Sequence, residues 1–88
     1  MAVYQFYSII KKEDGVFTVS FPDLENCFTD GESLVDAVGM AEDALGALLS
    51  VMEENGEPIP APSKAKDVEL PEGASLVLIN VNTDEYRD

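Results

Sequence analysis

The chain has 88 residues, 45% of them hydrophobic, and its 18 acidic side chains against 5 basic ones give a formal charge of −13. A chain this short has room for one domain with one modest core, burying roughly 60% of its unfolded surface, so a large internal active site is not expected. The charge excludes a domain that gathers phosphate backbones, the apolar content excludes disorder as the source of the acidity, and the single cysteine excludes an internal disulfide.

The pattern predicts strand one from Val3 to Lys12, where aromatic and β-branched residues suit a pleated, half-buried surface. Asp14-Gly15 then marks a tight hairpin, because glycine accepts positive φ without steric penalty. Strand two, Val16 to Phe21, alternates: Phe17, Val19 and Phe21 on one face, Val16, Thr18 and Ser20 on the other. Pro22 removes a backbone donor and stops the ladder, Asp23 to Asn26 read as a turn, and Cys27 to Thr29 read as a short third strand. Asp30-Gly31 reads as a second turn. Ser33 followed by Asp36 has the form of a helix N-cap with a short-armed capping box.

Leu34, Val38, Ala41, Leu45, Leu48 and Met52 recur at three and four and predict one amphipathic helix, its stripe widened by Ala37, Ala44 and Leu49. Gly39 and Gly46 interrupt it where the backbone is expected to approach the sheet or a second chain. Asn55-Gly56 ends it as a left-handed cap. Residues 57 to 73 read as a proline-rich extended connection. Ser75 to Thr83 is the last strand, with Val77, Ile79 and Val81 on one face and Leu76 and Leu78 on the other, and it is expected at a sheet edge where another copy can pair. Asp84 to Asp88 reads as a tail in which the pattern simply stops.

Catalytic chemistry finds little support. With no histidine, Cys27 reads as a small core residue rather than a nucleophile, and Ser33 is accounted for as a cap. The turn carboxylates have no metal-ligand spacing, so a two-metal nuclease remains a minor alternative and no catalytic, cofactor or metal residues are assigned. No secretory or transmembrane stretch is visible, and the expected location is cytoplasmic. The acidity serves either solubility or selection of a basic partner.

The order of the Asp-Gly hairpin, Phe21-Pro22-Asp23-Leu24, Cys27, Thr29, Gly31, the Ser33-Leu34 helix start with Ala37, and Gly56-Glu57-Pro58-Ile59-Pro60 through Ser63 resembles the HicB-like antitoxin family over nearly the whole chain. The resemblance implies an α+β fold, β-β-β-α-β, of the partial ribonuclease H-like kind without nuclease activity. It further implies a type II toxin–antitoxin role: binding and blocking a small basic RNA-cleaving HicA-type toxin. Asp14, Asp23, Glu25, Asp30 and Glu32 are the residues expected at that contact. Leu76, Leu78, Ile79 and Val81 are expected to support a homo-oligomer. The chain departs from the family in having Glu25-Asn26 before the cysteine and Asp36 before Ala37. No ribbon-helix-helix or helix-turn-helix pattern follows, so operator binding is not carried over and residues 1–88 are taken as a single HicB-like domain. The alternative is an acidic mimic of nucleic acid that inhibits another nucleic-acid-binding protein, or a regulatory binding domain for such a protein.

Overall fold

The computed structural model describes residues 2–86. Its elements are β1 (Val3–Glu13), β2 (Val16–Phe21), β3 (Leu24–Gly31), α1 (Leu34–Glu54) and β4 (Ala74–Asn82), with single 3-10 turns at Ala65–Asp67 and Thr83–Tyr86. The four strands form one antiparallel sheet in the order β3-β2-β1-β4, and α1 lies across one face. The two inner strands are β2 and β1, and β1, the longest, pairs with β2 and β4 over different stretches. Ile9 to Glu13 face β2, and Val3 to Lys11 face β4.

The β1–β2 hairpin closes on Asp14 and Gly15, both at positive φ (51° and 82°), as a two-residue turn whose twist matches that of the strands requires. The next turn, Pro22-Asp23, is equally short, and β3 starts at Leu24 rather than at Cys27. Its pairing slips between Ser20, which faces Phe28, and Phe21, which faces Leu24. The slip has a packing cause. Leu24 and Cys27 are both buried, and a regular strand with a period of two cannot turn residues three apart to the same face. The irregularity at Glu25 and Asn26 carries both side chains inward. Asp30-Gly31 is the end of the strand and not a turn. Gly31 is needed there because a Cβ would lie 2.5 Å from the Ala37 backbone nitrogen, so the first turn of α1 rests directly on the strand.

Helix α1 is capped as expected: the Asp36 amide donates to Ser33 Oγ (3.0 Å), while Asp36 Oδ2 accepts from the Glu32 amide (3.0 Å), one residue before the position usual in a capping box. Its buried line is Ala37, Ala41, Leu45 and Leu49, all at 0% exposure. The expected stripe is therefore rotated. Leu34 is 48% exposed, and Val38, Leu48 and Met52 form the half-buried flank. Alanine on the innermost line lets the helix axis approach the sheet, and Leu45 and Leu49 fill the space where Phe6, Ile10, Val19, Phe21 and Ile79 come up from below. Each fully buried leucine of this kind contributes about 1.5–3 kcal/mol. At the far end Gly56 has φ 67°, its amide donates to the Glu53 carbonyl, and the Glu57 amide donates to Met52 (2.9 Å), which together form a Schellman cap.

The proline-rich connection crosses from the helix end past the β2–β3 turn, with one 3-10 turn in an otherwise irregular path. Pro62 to Ala65 share a groove with Gln5, Tyr7 and Leu78, so this segment covers part of the sheet face opposite α1. The tail is not free as far as it is described. Thr83 to Tyr86 fold back, Tyr86 packs its ring on Gly46, and its hydroxyl donates to the Glu42 carbonyl (3.2 Å). Gly46 thus answers to the tail and not to the sheet, while a Cβ at Gly39 would meet nothing within 4 Å. Arg87 and Asp88 lie outside the described residues.

Candidate protein-binding surfaces

The five carboxylates expected to act together fall at two ends of the sheet. Asp14 is at the β1–β2 hairpin tip, and Asp30 and Glu32 lie beside it, because β3 runs back along β2 until Gly31 faces Phe17. Asp23 and Glu25 are at the other end of β2 and β3, on the order of 15 Å away along the strand. Charges in water interact little beyond the screening length of about 8 Å at physiological salt, so the two groups act separately.

Asp23 also has an internal task. It is half-buried, its Oδ2 accepts from the Ser63 amide (2.8 Å), and its Oδ1 accepts from the Ser63 hydroxyl (2.5 Å). Both oxygens are committed to holding the proline-rich connection against the β2–β3 turn. Asp14, Glu25, Asp30 and Glu32 are exposed.

A broader asymmetry is visible once the chain is folded. Residues 13 to 63 contain most of the acidic side chains and not one lysine or arginine. That stretch makes β2, β3 and α1, which form one side of the molecule. Lys11 and Lys12 sit at the end of β1, where Lys11 pairs with Glu13 (3.7 Å) and the Lys12 ammonium lies 5.7 Å from the centre of the Phe17 ring. Lys64 and Lys66 are in the connection on the β1–β4 side.

The sheet face away from α1 carries a row across all four strands, Leu76, Ile9, Ser20 and Phe28, set by the observed registers. At its β3 end Phe28 is 71% exposed, and with Thr18, Ser20 and Asp30 it lines a shallow groove. Alternation from Cys27, a core residue by its sequence, would have been enough to place this ring outward. The opposite edge, β4, has no charged residue from Ala74 to Asn82. Of the four residues expected to meet a second copy, Leu78 is 39% exposed and Leu76 is half-buried, but Ile79 (1%) and Val81 (6%) are in the core beneath α1. Their side chains are unavailable to another chain, because the β4 face that carries them is the one that α1 covers.

Little here suits bond-making. Cys27 is buried, and burial pushes its thiol up to about 11, so it stays protonated at neutral pH. Among the described residues no three histidine, cysteine or acidic side chains converge to hold a metal ion. Nor is any described helix long and apolar enough to cross a membrane.

Comparison with known proteins agrees with this architecture. The sequence profile of the HicB-like antitoxin of bacterial toxin–antitoxin systems matches residues 6–87. Antitoxin HicB 1 of Photorhabdus laumondii is 33% identical over 76 residues, an alignment covering 82% of this chain and 49% of that protein. The chain therefore spans about half the length of that curated relative. Among solved structures, one chain of a toxin–antitoxin complex from Streptococcus pneumoniae superposes with a TM-score of 0.89 at 20% identity, covering 97% of this chain and 73% of that one. A chain of the HicA3 and HicB3 toxin–antitoxin complex gives 0.71 at 26% identity, covering 90% and 99%. With the four-stranded sheet, the single capped helix and a profile match over nearly the whole length, the chain belongs to the HicB-like antitoxin family.

Proposed function

We propose that this chain is the inhibitory half of a toxin–antitoxin pair and acts by binding, without chemistry of its own, a small basic RNA-cleaving toxin of the HicA type. The observation that carries the proposal is the side built by β2, β3 and α1, which has many carboxylates and no basic residue. A protein that grips RNA offers positive charge where phosphates lie, and an all-acidic side meets that charge with complementary sign. The complementarity speeds and selects the encounter more than it sets the final affinity. The family match and the similarity to a chain of a HicA3–HicB3 complex support the same partner class.

Co-expression with each small protein encoded next to this chain is the test. Restored growth and co-purification are expected, and failure of both overturns the proposal. We further propose that a second copy pairs through the outer edge of β4. In a chain of formal charge −13, an uncharged edge strand is where two copies approach without like charges in register. Sedimentation should show Leu78→Lys shifted toward monomer, and an unchanged distribution would count against this pairing.

A further inference from the structure

The outer edge of β3 is also unpaired, and its chemistry is opposite to that of β4. The strand is bonded to β2 on one side only, and among the described residues no turn, cap or loop sends a backbone hydrogen bond to residues 25 to 30. Natural sheets blunt such edges with charge and bulges, and β3 has both in Glu25, Asp30 and the register slip. Phe28 is the exception. A ring 71% exposed in the middle of an edge strand does nothing for this chain's own core, yet it offers large area at small entropic penalty to whatever covers it.

We infer that the edge of β3 from Cys27 to Gly31 receives an extended basic strand of the partner, which adds to the sheet as a fifth strand. This location rests on the antitoxin reading above and specifies where the partner docks. Backbone groups of the incoming strand pair with the free side of β3, and one of its apolar side chains lies against Phe28 on the side away from Ser20. Its lysines or arginines meet Asp30 and Glu32 at one end and Glu25 at the other. Charge decides between occupants. A second copy would set Glu25, Asp30 and Glu32 against the same carboxylates, whereas a basic strand neutralises them. Two basic residues share the open face: Lys11 is two strands away and engaged with Glu13, and Lys64 lines the groove over β1 and β4 with Gln5, Tyr7 and Leu78, so neither is on β3 itself.

The test uses the whole chain, a purified small basic toxin of the HicA type that it binds in co-expression, and nitrogen-15 spectra. Phe28→Ala should weaken binding tenfold or more, as a central aromatic anchor does. Asp30→Lys should slow association several-fold and flatten its salt dependence. Val3→Ala, an exposed position on β1 outside the acidic side, should stay within twofold. The amides between Cys27 and Gly31 that point away from β2, every second residue, should gain hydrogen-exchange protection in the complex. A decapeptide of alternating lysine and valine should perturb the same amides, and the same peptide with a central proline should not. If the unaltered chain binds the toxin while Phe28→Ala and Asp30→Lys bind within twofold of it, the docking site is elsewhere and this inference fails alone. If the unaltered chain binds no such toxin, the antitoxin reading fails with it. Protection of the β3 amides on concentrating the chain by itself would assign the edge to a second copy and overturn the inference.

Discussion

Replacing Gly46 by alanine sets two effects of similar size against each other. In the interior of a helix the change gains about 1 kcal/mol from backbone entropy. At this position, however, the new Cβ would lie 2.6 Å from Tyr86 Cδ2 and nearer still to Cε2 and Cζ, far inside the ~3.5–4.0 Å at which carbons attract. The ring has to leave. Its departure breaks the contact with Gly46 and the hydroxyl's bonds to the Glu42 carbonyl and Asp43 Oδ1. A half-buried ring keeps about half of the ~1.5–3 kcal/mol of a fully buried side chain, and the hydroxyl's bonds add about 1 kcal/mol, so its release costs about 2 kcal/mol. The expected outcome in urea denaturation is a net loss of about 1 kcal/mol for Gly46→Ala. Gly39→Ala, with open space at its Cβ, should gain up to about 1 kcal/mol. In a Tyr86→Ala background the sign at Gly46 should reverse to a gain of about 1 kcal/mol, which is a coupling of about 2 kcal/mol in the double-mutant cycle. If Gly46→Ala stabilises the unaltered chain as much as Gly39→Ala does, Tyr86 is not seated on α1 and the reasoning is refuted.

Asp23→Ala should cost about 1–2 kcal/mol and speed proteolytic cleavage within residues 57–73, with Asp23→Asn intermediate, because the carboxylate's two bonds to Ser63 hold that segment; partner affinity should barely change. Cys27 should resist thiol reagents at neutral pH until the chain unfolds. Since burial raises its folded-state value from 9.0 to about 11, its contribution to stability should be complete below pH 9 and lost as pH rises toward 11, measurable as a falling denaturation midpoint. Ser33→Ala should destabilise by about 1 kcal/mol and Ser33→Asp should restore most of it, both read by thermal unfolding.

The parts of the fold that were legible in advance depend on local rules. The Asp14-Gly15 turn needs positive φ, the Ser33 cap needs a short oxygen side chain, and Gly56 ends the helix in the left-handed region; each is a property of a few adjacent residues. What was misread depends on two segments meeting. The rotation of the α1 stripe away from Leu34 follows from how closely Gly31 lets the helix approach β3, a distance that hydrophobic spacing does not encode. Leu24 was assigned to a turn because proline and aspartate precede it, and only the demand that it and Cys27 be buried together shows the irregular strand. Asp23 looked like a surface charge because its partner, Ser63, lies forty residues on. Tyr86 looked like tail for the same reason, since nothing nearby in sequence requires it.

The two open edges of the sheet differ in charge in a way that would let one small domain take a second copy at one and a basic strand at the other. An edge strand presents unpaired backbone groups to any extended chain, so backbone chemistry alone cannot choose between a second copy and a foreign strand. Side-chain charge makes the choice. Along β4 the run from Ala74 to Asn82 is neutral, so the repulsion generated by the rest of the molecule is smallest there. Along β3, Glu25 and Asp30 flank Phe28, and every element on that side lacks a basic residue, so self-pairing there is opposed while pairing with a basic strand is favoured. Reversing the sign of charge on one edge should therefore change which chain binds it without altering the fold, because Glu25 and Asp30 are exposed and take no part in the core.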